Sequence, residues 1–161
     1  MTEREYNTCV NLYADNVYRF ILKNLRHEED AKDVVQGAFE KLWISRVQVD
    51  NERVKNYLFT IAYNHMIDHI RKNKRIVLKD IFGETEGGTI GTQQDTKRIL
   101  NEALNRLNEK QRSLVMLKDY EGYSYEEIGE ITGLNTSQVK VYLHRARLEL
   151  KEYIGTWENV L

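Results

Sequence analysis

Ser124-Tyr125-Glu126-Glu127-Ile128-Gly129-Glu130-Ile131-Thr132-Gly133-Leu134-Asn135-Thr136-Ser137-Gln138-Val139-Lys140-Val141-Tyr142-Leu143-His144-Arg145-Ala146-Arg147 is the stretch that decides the fold. It opens on S-x-x-E, where serine hydroxyl and glutamate carboxylate each satisfy an orphan backbone N–H at a helix start. A short helix therefore begins at Tyr125 and ends at Gly133, a residue that takes the left-handed cap without steric cost. After Leu134 and Asn135 a longer helix runs from Thr136 to about Tyr153. Two helices joined by a tight glycine turn make a helix-turn-helix candidate.

At 100 degrees per residue, Val139, Leu143, Ala146 and Leu150 fall on one side of the longer helix. Ser137, Lys140, Val141, His144 and Arg145 fall on the other, which is polar and basic. A recognition helix presents such a face to the major groove, with Lys or Arg pairing with guanine and neighbours holding phosphate. The bland alternative is a solvated outer face.

Upstream, Leu100, Ala103, Leu104 and Leu107 keep helical spacing, and a further helix runs from about Glu109 to Tyr120 and stops before Gly122. Residues 80–95 carry four glycines, four acids and no base, with too little apolar surface to offset the entropy of ordering. They read as a linker between a first unit, residues 1–79, and a second, residues 96–161. In the first unit Tyr6, Val10, Tyr13, Val17 and Phe20 mark one face of a long helix. A second helix is expected to open behind Asp30, with Asp33 as a capping partner, and to bury Ala31, Val34, Val35, Ala38 and Leu42 before closing at Trp43. After a polar loop, a third runs from about Arg53 to Arg75 with Leu58, Ala62, Met66 and Ile70 stacked at steps of four. The expected fold is all-α, two small helical domains joined by a flexible acidic linker.

The 161 residues carry 24 Lys+Arg against 25 Asp+Glu, a net charge of -1, with 41% hydrophobic residues and no proline. That is a globular composition and favours helices over sheets. No run of about 18 apolar residues would span a membrane, and the first residues lack a signal peptide's basic start and apolar core. A cytoplasmic location is the expectation. Cys9 stands alone, so it forms no internal disulfide or metal cluster. Near-zero net charge alongside local basic clusters implies weak binding to random DNA and dependence on a partner to reach a specific site.

A second stripe lies on the third helix. Tyr57, Thr60, Asn64, Asp68, Arg71 and Arg75 recur at steps of three and four, ending in the basic run Arg71-Lys72-Asn73-Lys74-Arg75. Aromatic faces stack on unpaired bases, amides read base edges, and cations neutralise phosphates. A basic helix end also complements the helix dipole, which is the structural alternative. His65 and His69 stand at metal-ligand spacing but lack the glutamate of a zinc-protease motif. No glycine-rich phosphate loop and no nucleophile elbow occur. Nothing points to an enzyme, and no cofactor or metal is expected.

Taken together these motifs resemble a bacterial RNA polymerase sigma factor of the sigma-70 family, extracytoplasmic-function (ECF) group, which carries only regions two and four. Asp30-Ala31-Lys32-Asp33-Val34-Val35-Gln36, with Phe39 and Leu42-Trp43, is similar to the region-two segment that docks on the polymerase β′ clamp. The resemblance implies polymerase contacts at Asp33, Gln36 and Glu40. Tyr57 through Asn64, with residues 67–71, resembles the segment that opens and reads the minus-ten element, which assigns Tyr57, Thr60, Asn64, His65, Arg71 and Lys72 to DNA. Gly122 through Ile128 and Val139 through Arg147 resemble the region-four helix-turn-helix. The family's region four reads minus-thirty-five and touches the β flap, which assigns Ser137, Lys140, Val141, His144 and Arg145 to DNA. The resemblance further implies polymerase core and promoter DNA as partners, an anti-sigma factor that covers both regions, and a linker threading toward the RNA exit path.

Three positions depart from the family pattern. Gly37 stands where Glu is usual, Asn108 replaces a common Pro, and Val141-Tyr142 replaces a frequent Ser-Arg pair. A magnitude frames the mechanism: opening about ten base pairs costs on the order of 14 kcal/mol, whereas stacking two flipped bases returns roughly 2 to 6 kcal/mol. The protein would need polymerase to supply the rest of the grip, with residues 45–53 also near the unpaired bases. The rival readings are a stand-alone helix-turn-helix regulator, which binds its operator without polymerase, and a metal-dependent hydrolase built on His65, Asp68 and His69.

Overall fold

The computed structural model describes residues 1–77 and 95–160; the stretch read as a linker, residues 80–95, falls outside these except for its last residue. Among the described residues the fold is all-α. Helix α1 spans Glu3–Leu25, α2 Glu28–Ser45, α3 Val54–Val77, α4 Asp95–Arg106, α5 Glu109–Val115, α6 Tyr125–Thr132 and α7 Thr136–Val160. A π-helical turn, Met116–Tyr120, continues α5.

Helices α1, α2 and α3 pack pairwise into a bundle. Most of the apolar positions expected from spacing are inside: Val17, Phe20, Ala31, Ala38, Leu42, Leu58, Ala62 and Met66 are essentially inaccessible, whereas Tyr6, Val10, Tyr13, Val35 and Ile70 are half-buried against that core. Phe20 and Phe59 meet with ring centroids 5.7 Å apart, and Tyr6 stands edge-on to Trp43 at 4.9 Å while its hydroxyl donates to the Phe39 carbonyl. The start of α2 differs from expectation. Its N-cap is His27, whose Nδ1 accepts the Asp30 N–H at 3.2 Å, and Asp30 lies inside the first turn with Glu28 and Glu29. The imidazole nitrogen satisfies an orphan N–H as a serine oxygen would, and the three acids complement the positive end of the helix dipole.

In the second unit, α5 runs through the centre. Residues 112–117, from α5 into the π-helical turn, are all buried, which one stripe of a surface helix cannot be. Asn108 caps α5 through a full capping box with Gln111, doing at this helix start what a proline would otherwise do by fixing the backbone. Ser124 and Glu127 form the box expected at α6, and Gly133 closes α6 in the left-handed region at φ 78°. Gly129 is equally necessary. A Cβ there would sit 2.7 Å from the Leu134 carbonyl oxygen, so α6 and the turn approach as closely as they do only over a bare backbone.

The two units share one core. Phe59 of α3 meets Tyr123 edge-on at 5.3 Å, and α3 packs along α6. Arg112, 3% exposed, donates to the carbonyls of Leu104, Asn105 and Leu107 at the end of α4 and of Asn24 at the end of α1. Last-turn carbonyls lack helical partners and carry the negative end of the dipole, so two helix ends together solvate one guanidinium. Burial lowers its pKa, with Arg26 adding to the effect and Glu109 opposing it.

Candidate nucleic-acid and polymerase interfaces

Val139, Leu143 and Ala146 anchor α7 in the core of the second unit, each 1% exposed or less. That orientation turns Ser137, Lys140, Val141, His144 and Arg145 outward, and all five are exposed. Asn135 caps the start of α7 by accepting the Gln138 N–H at 2.8 Å, so the first turn of the helix is fixed where a groove-reading helix needs it.

Beside this face lies a basic cluster that helical spacing did not reveal. The ring of Tyr125 lies between two ammonium groups, Lys118 at 4.6 Å and Lys140 at 5.4 Å from its centroid. Lys118 is further held by donating to the Tyr123 carbonyl, and Arg147 pairs with Asp119 at 2.6 Å. The hydrogen bond to Asp119 raises the Arg147 pKa, with burial opposing it. Lys118 comes from the π-helical turn after α5 and Tyr125 from α6, so only the tertiary fold brings them to Lys140. Cations on an aromatic face are ordered without being neutralised.

On α3 the stripe is present but uneven. Asn64, Arg71 and Lys72 are exposed, while Tyr57 is half-buried and packs against the core. The Thr60 hydroxyl donates to the Asn56 carbonyl at 2.8 Å. His65 is turned toward α2 and is the nearest group to Gly37, where a Cβ would stand 3.6 Å from the imidazole. His69 faces Asp30, 3.3 Å from its Oδ2, so the two histidines serve different neighbours. Of the basic run, side chains are described as far as Asn73.

Asp33, Gln36 and Glu40 form an exposed row on α2, with Gln36 donating to Glu40 at 3.3 Å. Ile44 and Val47, 78% and 81% exposed, extend this row beyond its polar part. A helix face that presents acids and then uncovered aliphatics suits a protein partner better than a polyanion.

Comparison with known proteins decides the family. Residues 9–76 match the model for Sigma-70 region 2, and residues 97–150 match that for Sigma-70, region 4. The chain is 34% identical over 144 residues to RNA polymerase sigma factor SigV of Bacillus subtilis (strain 168), covering 86% of this chain and 84% of that one. The chain belongs to the sigma-70 family of RNA polymerase sigma factors. It is an ECF sigma factor, as is SigM of the same organism, to which it is 29% identical over 87% of this chain and 89% of that one. Such a factor binds the polymerase core and directs promoter-specific initiation.

Among solved structures, this sigma factor superposes on RpoE of Bartonella quintana, determined in complex with the anti-sigma factor NepR. The TM-score is 0.81 at 26% identity, over 94% of this chain and 98% of that one. Neither unit alone reaches that coverage, so the neighbour shares the arrangement of both. Among the described residues no helix is long and apolar enough to cross a membrane.

Proposed function

We propose that the two exposed faces divide promoter recognition between them. The outward face of α7 enters the major groove of the minus-thirty-five element, with Arg145 and Lys140 placed for guanine or phosphate, His144 and Ser137 for further polar contacts, and Lys118 gripping the flanking backbone. The α3 stripe takes the minus-ten element. Asn64, Arg71 and Lys72 hold the strand as it opens, Tyr57 and Thr60 border the unpaired bases, and His65 supports the stripe from the α2 side. Asp33, Gln36 and Glu40 dock on the β′ clamp of polymerase, and the second unit touches the β flap. Polymerase supplies the melting energy that the protein lacks alone. The role is non-catalytic and cytoplasmic, and the protein takes no cofactor; an anti-sigma factor sequesters it.

The observation that carries this reading is the orientation of α7. Its three apolar anchors are buried to within 1% of completely, and each of its residues assigned to DNA is exposed. The test is transcription of source-genome DNA by a related polymerase core with and without the protein, mapping new RNA 5′ ends. New starts that share two spaced upstream elements are expected. Arg145→Ala should weaken initiation by an amount equivalent to about 1 to 3 kcal/mol, the worth of a bidentate base contact. Asp33→Ala should weaken core binding and leave the helical content unchanged. Tight, sequence-specific binding to an operator by the protein alone, with no new starts, would replace this reading with that of a stand-alone regulator.

A further inference from the structure

Two tyrosines flank the outward face of α7, and each carries ammonium groups. On one flank the ring of Tyr125 holds Lys118 and Lys140. On the other, Tyr142 of α7 lies under Lys110, whose Nζ is 5.7 Å from the ring centroid. At 100 degrees per residue, Lys140 and Tyr142 stand about 160 degrees apart around the helix, on either side of the buried row Val139, Leu143 and Ala146.

Lys110 is not placed as an ordinary surface lysine. It is in the first turn of α5, where the positive end of the helix dipole opposes a cation. It is exposed, and the ring that holds it belongs to another helix. An aromatic face orders an ammonium group without neutralising it. The acid of α7 on this flank, Glu149, lies about two turns beyond Tyr142 and accepts from Gln111 at 3.5 Å. A charge that its own helix disfavours, held in place and left unneutralised, is suited to an anion outside the protein.

The dimensions of duplex DNA say which anion. A helix with its side chains is about 10 to 12 Å across, and the major groove is about 12 Å wide. A helix lying in the groove therefore meets a phosphate backbone on both flanks. Lys118 and Lys140 serve one wall, and Lys110 is on the side of the other.

We propose that Lys110 is a phosphate-binding residue of the minus-thirty-five contact, gripping the groove wall opposite the one that Lys118 holds, and that Tyr142 is its positioning residue. A phosphate contact adds affinity and sets register without reading sequence. Clamped from both sides, α7 is centred in the groove, which fixes the base pairs that Val141 and Arg145 meet. Tyr142 stands where Arg is frequent in the family, so in this chain the cation on this flank is supplied by α5. The inference rests on the placement of α7 in the groove proposed above.

The full chain, assembled with a related polymerase core, is tested on mapped promoters in which one phosphate at a time around the upstream element is replaced by an uncharged methylphosphonate. Binding by the parent should fall at phosphates on both walls. Lys118→Gln should become insensitive on one wall and Lys110→Gln on the other, with the base preferences of the element unchanged. Loss of one phosphate contact lowers the salt slope by about 0.9, so Lys110→Gln should bind more weakly at low salt yet lose about 3.5-fold less affinity than the parent between about 50 and 200 mM salt. Tyr142→Phe keeps the ring face and should keep the parent's map and slope. Tyr142→Leu removes the face and should blunt the response at the phosphate that Lys110→Gln silences. If Lys110 only ties α5 to α7, Lys110→Gln lowers the melting temperature and leaves map and slope as in the parent, which overturns the proposal. Silencing of a phosphate on the Lys118 wall instead overturns it equally. Impaired binding by Arg145→Ala beside an unchanged Lys110→Gln overturns this proposal alone, whereas a parent indifferent to every phosphate and to Arg145→Ala overturns the groove placement as well.

Discussion

The guanidinium of Arg112 donates to the backbone carbonyl of Asn24 at 3.1 Å, linking residues 88 positions apart and from different units. Around it, Asn24 Oδ1 accepts from Ser113 Oγ and the Asn24 amide donates to the Phe20 carbonyl. Carbonyl dipoles from two helix ends thus hold the cation.

Arg112→Lys should test what that arrangement contributes. An ammonium cannot fork to carbonyls on two helix ends, so at least one buried acceptor is left without a donor. A loss of about 2 to 3 kcal/mol is expected in urea titration. Amide exchange should show α1 and α5 losing protection at different denaturant concentrations in the variant and together in the parent. An unchanged midpoint with joint loss would contradict a coupling role.

Two glycines within helices should respond in opposite directions. Gly37→Ala places a Cβ in ordinary contact with His65 and removes backbone freedom from the unfolded chain, so stability should rise by about 0.5 to 1 kcal/mol. Gly129→Ala drives a Cβ against the Leu134 carbonyl and should lose about 1 to 3 kcal/mol despite better helix propensity. Thermal melts of the two proteins decide the matter, and shifts of the same sign would refute the packing argument.

Val141 is 45% exposed and apolar in the middle of a polar face. An aliphatic side chain there fits the methyl group of thymine in the major groove. Replacing each thymine of the mapped upstream element by deoxyuridine removes only that methyl, and at one position should weaken binding about fourfold, the worth of about 0.8 kcal/mol. The sensitivity should vanish in Val141→Ser. If no position responds in the parent protein, the valine does not read a methyl.

Glu127 supplies a pH dependence whose sign is fixed. The hydrogen bond from the Ser124 backbone, against an upward pull from burial and with further help from the Ser124 and Asn56 side chains and the Lys55 charge, holds its carboxyl below the ordinary glutamate value. A depressed folded-state pKa gives stability that is present above the unfolded value, about 4.3, and is lost as pH falls through the folded one. Thermal stability measured from pH 6 down to pH 3 should therefore decline more steeply for the parent than for Glu127→Gln. Parallel curves would exclude the carboxylate.

Most of the helices were legible because each announces itself locally. Ser124 with Glu127, Gly133, and the four-step rows in α1 and α3 are short-range signals, and the faces they predict on α7 are the faces observed. The N-cap of α2 was misplaced because Asp30 is a common cap and histidine a rare one, and only the geometry shows the imidazole accepting. Tyr125 beside Lys118 and Lys140 could not be read, since no periodicity connects the end of one helix to the start of another. The contact between the units was hidden for a related reason. Residues 80–95 argue for two units, and nothing local tells that Tyr123 fits Phe59 or that Arg112 reaches Asn24.

The π-turn at Met116–Tyr120 sets a condition on length. Wider winding accommodates an extra residue in one turn, and at 100 degrees per residue its removal would rotate everything beyond it by more than a quarter of a circle. Tyr123 would leave its place against Phe59, and Asp119 would no longer meet Arg147. The segment between Gln111 and Ser124 is therefore a ruler: its letters can change, but a single inserted or deleted residue puts the whole helix-turn-helix out of phase with the rest of the protein.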